Sequence, residues 1–230
     1  MENLLLNPPG WLVYTGQSLS ITGQVHLFKI DTAAIFNRVS LENLLPAEEL
    51  EKAQRFLHQQ DRQRYIVRKH VLRLLLAKVL GINPGQLDFQ VTANKKPCVQ
   101  GIEFNVSHSN NYIVIVLASL PAGIDIEYIN PLFQFEDLME LCFNPEEEEF
   151  IRKASNPLVN FYTLWTRKEA ILKATGEGLT DDIPNVSTLE MLQSRNAQRY
   201  TVQSYKTADN YLVSTALTAP LPAVHFWEYC

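Results

Sequence analysis

Asp125 and Glu127 stand two residues apart in Gly123-Ile124-Asp125-Ile126-Glu127, a segment of strict alternation. Alternation of this kind marks a strand and turns both carboxylates to one face, with Ile124 and Ile126 on the other. Two like charges on one face repel unless a cation lies between them. Hard divalent ions such as Mg²⁺ take oxygen ligands, keep several waters and sit alongside substrate phosphates. A solvent-facing edge strand is the plainer account of the same pair. A third carboxylate, Glu169, lies in a stretch that opens at Pro157. At ~100° per residue, Leu158, Phe161, Tyr162, Trp165 and Leu172 form an apolar stripe, and Glu169 falls inside it. A carboxylate there must be paired, protonated or metal-bound, because burying it bare is costly. An i,i+4 ion pair with Lys173 would satisfy it too. Asp125, Glu127 and Glu169 together make a three-carboxylate site more specific than any one of them.

His108 sits in Asn105-Val106-Ser107-His108-Ser109, where it can donate to a phosphate or move a proton. Neither serine has the G-x-S-x-G context of a nucleophile. The other histidines, His26, His58, His70 and His225, show no metal-ligand spacing. With no Walker motif and no G-x-G-x-x-G, a phosphate must be held by side chains. Lys95-Lys96-Pro97, just before the His108 segment, could hold one, or could be a turn carrying lysines.

The elements that position these residues follow from pattern. WLVY and VHLFKI within residues 11–30 read as strands. Pro46 with Glu48 and Glu49 opens a helical stretch that runs to Leu80, breaks near Asp61 and stops at Gly81. Phe104 and Val106 lie in a short strand, SHSNN turns the chain, and Tyr112 to Ala118 returns as a buried strand. Asn144-Pro145 and Asn156-Pro157 cap two helices, the second ending at Gly176. TLEML, YTVQSY, YLVSTAL and VHFWEY read as strands. Leu120-Pro121-Ala122-Gly123 separates a half of residues 1–120 from one of 121–230. Each half reads strand, helices, strands, which predicts an α+β fold of two similar α/β halves with the active site between them.

A chain of 230 residues with 46% hydrophobic and 20% charged residues is globular. No apolar run is long enough to span a bilayer, and Pro8 and Pro9 interrupt the N-terminal stretch, so neither a membrane segment nor a signal peptide is expected. Three scattered cysteines suit a reducing cytoplasm. The net charge of -5 hides an asymmetry: residues 1–120 carry 12 Lys/Arg against 9 Asp/Glu, and residues 121–230 carry 8 against 16. The basic excess lies at 52–78, with eight basic residues against Asp61 alone. That suits an anion on one side of a cleft and a metal on the other, or two solvated helix faces. Nucleic-acid binding is disfavoured by the overall charge.

In this order the pieces resemble the Sfp-type 4′-phosphopantetheinyl transferases. Lys96-Pro97 with Phe104-Asn105-Val106-Ser107-His108-Ser109, then Gly123 to Glu127, then Trp165-Thr166-Arg167-Lys168-Glu169-Ala170 with Lys173 and Gly176, carry the resemblance. It covers roughly residues 45–180, and its earlier basic region matches Glu51 to His58 with Arg68. The resemblance implies a pseudo-dimeric monomer that binds coenzyme A and Mg²⁺. It would transfer the 4′-phosphopantetheine group to a serine of an acyl or peptidyl carrier protein, releasing 3′,5′-adenosine bisphosphate. It assigns Asp125, Glu127 and Glu169 to the metal and catalytic roles to Glu169, His108 and Lys173. It places Lys52, Arg55, Arg68, Lys96, Pro97, Ser107, His108 and Lys173 around the coenzyme A. Glu49 departs from the pattern, since some members carry a second basic residue there. A fold relative without turnover and a different Mg²⁺-dependent phosphate enzyme are the competing readings. The intact carboxylates and Lys173 argue against the first, and the single well-placed histidine against the second.

Overall fold

The computed structural model describes residues 4–7, 10–38, 45–178 and 182–230, so Pro8 and Pro9 lie outside the described residues. Along the chain run β1 (Leu5–Leu6), β2 (Leu12–Tyr14), β3 (Gln24–Asp31), α1 (Thr32–Phe36), α2 (Ala47–Gln54) and α3 (Gln59–Leu80). Next come β4 (Gln90–Val91), β5 (Pro97–Cys98), β6 (Glu103–Ser109), β7 (Tyr112–Ala118) and β8 (Ala122–Tyr128). The chain continues with α4 (Met139–Cys142), α5 (Pro145–Arg152), α6 (Pro157–Thr175), β9 (Leu192–Arg195), β10 (Gln198–Lys206), β11 (Tyr211–Thr218) and β12 (Ala223–Tyr229). None of the described helices is long and apolar enough to cross a membrane.

Two five-stranded sheets dominate. One has the order β2-β12-β3-β7-β6; the other runs β1-β10-β11-β8, with β9 also on β10. Alternation decides what each face meets. Val25, Leu27, Val114 and Val116 of the first sheet pack against Ile124, Ile126, Val213 and Leu217 of the second. On the opposite face of the first sheet, Phe28, Ile30, Ile113, Ile115 and Leu117 receive Val67, Val71 and Leu75 of α3. On that of the second, Val202 and Ala216 receive Ala170, Ile171 and Ala174 of α6. The result is helix, sheet, sheet, helix, an α+β pseudo-dimer of two helix-on-sheet halves.

The hydrogen bonding crosses the 120/121 division at both ends of the chain. β12 lies parallel to β3 and β2 in the first sheet, and β1 lies parallel to β10 in the second.

Three local expectations shift. The helix break falls at Arg55–His58, and Asp61 lies in the first turn of α3, where an acid complements the N-terminal dipole. Ser107 to Ser109 belong to β6, and the turn is made at Asn110, which adopts φ 44°. Thr188 to Met191 form a bend rather than a strand. Arg167 donates to the carbonyls of Thr188 and Glu190 at 2.7 and 2.6 Å, which occupies the acceptors a ladder would use.

Candidate active site at the seam between the halves

The site begins with a glycine. α6 is capped by the Asn156 side chain, which accepts from the Val159 amide at 3.2 Å, and ends at Gly176 in the left-handed region, φ 74°. It crosses β8 at Gly123, where a Cβ would lie 1.9 Å from the Ala170 carbonyl oxygen and 2.6 Å from the Ala174 amide nitrogen. This close approach sets Glu169 and Lys173 of α6 beside Asp125 and Glu127, which share the helix-facing side of β8 with Gly123. Trp165, Glu169 and Lys173, four residues apart, present one face of α6 to the same cleft.

The other wall is β6. β6 and β8 are edge strands of different sheets and are joined by side chains rather than by a backbone ladder. Asn105 Oδ1 accepts from the Ile124 amide at 3.1 Å. Ser107 donates to Asp125 Oδ1 at 2.7 Å, and Ser109 donates to Glu127 Oε2 at 2.9 Å. The cleft so formed, about 260 Å³, is lined by Arg68, Val106, Ser107, His108, Asp125, Glu127, Trp165, Glu169 and Lys173. Seven of the sequence-predicted residues therefore meet at one place.

Lys173 Nζ lies 2.6 Å from Asp125 Oδ1, 3.1 Å from Ser107 Oγ and 3.7 Å from Glu169 Oε2. Asp125 is 2% exposed and forms the floor. Burial, and then the neighbouring Asp125, push the Glu127 carboxyl up to about 7, against the Ser109 hydrogen bond and Lys173. Burial also raises Glu169, with Asp125 adding to it and Lys173 opposing. His108 has an exposed edge, yet the cleft wall desolvates the ring, and Arg64, Arg68 and Lys173 repel its proton; its value falls to about 4. Near neutral pH it is an uncharged imidazole with one N–H and one lone pair.

The donor set suits a hard divalent ion, since all three candidates are carboxylates. Asp125 Oδ2 is buried with no hydrogen-bond partner among the described residues, which leaves that oxygen to offer to a cation. Among the described residues no group of three His, Cys, Asp or Glu is clustered closely enough to cage an ion. The Lys173 ammonium occupies the space beside Asp125.

A second slot, about 160 Å³, adjoins the cleft through Arg68 and Val106 and is lined also by Lys69, Leu72, Phe89, Lys96, Pro97, Phe104 and Asn105. Burial lowers Lys96 and Arg68. Lys52 lines neither space; its Nζ lies 5.9 Å from the Tyr65 ring, over which Arg68 also sits at 5.5 Å. Arg55 is the exposed C-cap of α2 and does not line either space. Sequence reasoning passed over Trp165, although its i,i+4 spacing to Glu169 was a usable signal. Arg64, one of the basic residues of the 52–78 stretch and expected to be exposed, is half-buried and donates to the Asn110 carbonyl at 3.2 Å.

The rest of the Trp165 to Ala170 motif is structural. Thr166 Oγ1 is 2.7 Å from Ser214 Oγ. Arg167 is buried on backbone carbonyls, and burial lowers it to about 10. Lys168, also buried, pairs with Glu147 at 2.6 Å.

The sequence on both sides of this site matches known families. Residues 121–219 match the model of the 4′-phosphopantetheinyl transferase superfamily, and residues 37–120 match that of the 4′-phosphopantetheinyl transferase N-terminal region. The 4′-phosphopantetheinyl transferase HetI of Nostoc sp. (strain PCC 7120) is 30% identical over 95% of this chain and 98% of its own. A 4′-phosphopantetheinyl transferase of Bacillus subtilis is 35% identical over 58% of this chain and 61% of its own. For Sfp of Bacillus subtilis (strain 168) the identity is 28%, over 60% and 63%. The chain belongs to the Sfp-type 4′-phosphopantetheinyl transferases and is an enzyme of that class.

Proposed function

We propose that this chain moves the 4′-phosphopantetheine group of coenzyme A to a serine of an acyl or peptidyl carrier protein in the cytoplasm, with Mg²⁺ bound and 3′,5′-adenosine bisphosphate released. The observation that carries this reading is the convergence of Asp125, Glu127, Glu169 and Lys173 on one cleft at the seam, beside a slot rimmed by Arg68, Lys69 and Lys96. Asp125, Glu127 and Glu169 would hold the ion. When bound, Mg²⁺ supplies positive charge to the pyrophosphate as the leaving half becomes more anionic.

The chain's own residues do the rest. Lys173 and the His108 N–H offer donors to phosphate oxygens from the open side of the cleft, the kind of preorganised contact that dominates charge stabilisation. Arg68 and Lys96 hold the nucleotide side. Glu169 accepts the proton of the carrier serine from its place on the cleft-facing side of α6. The serine Oγ then forms a bond to the phosphopantetheine phosphorus. The bridging P–O bond breaks, and its electron pair leaves with the adenosine bisphosphate.

The test incubates the protein with coenzyme A, Mg²⁺ and a panel of apo carriers. Mass spectrometry should show one phosphopantetheine added, lost with EDTA and lost in Asp125→Asn. Failure to modify any carrier, or modification that survives EDTA, overturns the assignment.

A further inference from the structure

Ser109 belongs to β6 and has no part in the chemistry above. Its hydroxyl accepts from the Tyr128 amide at 3.0 Å and donates to Glu127 Oε2 at 2.9 Å. A serine hydroxyl has one proton. With the backbone amide in one lone pair, that proton has a fixed direction, and it points at Glu127.

The seam repeats this arrangement. Ser107 holds Asp125, Ser109 holds Glu127, and both pairs are separated by 18 residues. The strand period of two on β6 therefore matches the period of two on β8, and each carboxylate receives its own hydroxyl. The two carboxylates need this support unequally. Asp125 is also held by Lys173 at 2.6 Å and sits on a short side chain. Glu127 is one methylene longer, faces the like charge of Asp125, and has no ion-pair partner among the described residues. Repulsion from Asp125 turns an unrestrained Glu127 outward to solvent. Ser109 opposes that turn, and Glu127 Oε1 makes no hydrogen bond among the described residues.

We infer that Ser109 is a positioning residue for Glu127: anchored by the Tyr128 amide, its hydroxyl holds the carboxylate turned into the cleft with one oxygen free to coordinate. The inference rests on the three-carboxylate reading above. Outer-shell partners of this kind typically change metal affinity by about 10–100-fold when removed.

The experiment titrates the purified full chain with Mn²⁺ and follows the free ion by electron paramagnetic resonance. The proteins are the wild type, Ser109→Ala, Ser109→Cys, Ser109→Thr and Asp125→Asn, each checked for folding by circular dichroism. Ser109→Ala is expected to weaken Mn²⁺ binding by about 10–100-fold. Ser109→Cys, nearly the same size but a poor donor, should weaken it similarly, and Ser109→Thr, which keeps the hydroxyl, should restore it. In turnover, the Mg²⁺ needed for half-maximal rate should rise with little change in the coenzyme A KM. Wild-type affinity in both Ala and Cys variants overturns the role of Ser109 while Asp125→Asn still loses the ion. If Ser109→Ala does not fold, Ser109→Cys alone decides. A wild type that binds no Mn²⁺, or an Asp125→Asn that binds it unchanged, overturns the carboxylate site itself and this inference with it.

Discussion

Replacing Gly123 by alanine tests whether the site is built by the approach of α6 to β8. The added Cβ would lie 1.9 Å from the Ala170 carbonyl oxygen, and real Cβ contacts essentially never fall under 3.0 Å. Both close neighbours, the Ala170 oxygen and the Ala174 nitrogen, are backbone atoms, so no side chain can swing aside. The helix and strand must therefore part by about 1.1 Å. Overpacking of this sort costs about 1–3 kcal/mol, and a backbone-to-backbone clash belongs at the upper end. For a chain of this size each kcal/mol moves Tm by roughly 2–4 °C, which gives a fall of about 6–12 °C. The same displacement carries Glu169 and Lys173 away from Asp125, and a misplacement of ~1 Å costs on the order of 10² in rate. Thermal unfolding by circular dichroism, with carrier modification measured well below the variant's Tm, separates the two effects. Gly85→Ala is the control, because nothing lies within 4 Å of a Cβ there. A Gly123→Ala protein with wild-type Tm and turnover would refute the account of how the carboxylates are brought together.

Glu147→Gln should destabilise the fold by about 3–5 kcal/mol in urea unfolding, because it leaves buried Lys168 without its counter-charge; a loss below about 1 kcal/mol counts against the buried pair. His26 provides a pH prediction. Its Nε2–H donates to the Ser20 carbonyl at 2.8 Å, and its Nδ1 accepts from the Trp227 indole at 3.0 Å. Burial lowers its pKa, the Ser20 hydrogen bond partly offsets this, and stacked His225 lowers it further. The unfolded chain therefore binds the proton more readily, so stability is full above about pH 6.5 and falls as pH drops through the unfolded value toward the folded one. Urea midpoints at pH 7.5 and 5.5 should differ more for the wild type than for His26→Gln, and equal differences would remove His26 from the effect. Arg62→Glu, at an exposed position, should raise the carrier KM more than the coenzyme A KM and soften its salt dependence. Arg64→Glu should also lower kcat, since it releases the Asn110 turn next to His108; equal effects of Arg62→Glu on both substrates would take that residue out of carrier recognition.

Periodicity carried the sequence reading a long way. The continuous apolar run from Tyr112 to Ala118 is β7, buried almost throughout, the alternation in Gly123 to Glu127 is that of β8, and the Asn-Pro caps and Gly176 bound α5 and α6 closely. These are local signals, and the chemistry-bearing side chains happen to sit on locally regular segments. What local pattern could not reach is fixed by distant partners. Arg167 and Lys168 stand in the sequence only as members of the Trp165 to Ala170 motif, yet both are buried, because their partners lie in Thr188, Glu190, Val202 and Glu147. The parallel seating of β12 beside β3 depends on which edges the first sheet leaves open.

The basic stretch at 52–78 shows the same limit in electrostatic terms. Eight basic residues against Asp61 read as one positive field. In the folded chain Glu49, outside that window and seemingly out of place before it, binds Lys69 at 2.7 Å and Arg73 at 3.3 Å. Burial raises the Glu49 carboxyl, but Lys69 and Arg73 outweigh it and leave its pKa lowered, so it is ionised at neutral pH. Arg64 is likewise paired with Asp61. Arg68 forms no ion pair among the described residues and lines both the cleft and the adjoining slot. A count along the chain thus overstates the field: three of the eight cations are matched by carboxylates, and Lys96 and Lys173, outside the stretch, are themselves paired with Glu103 and with Asp125 and Glu169.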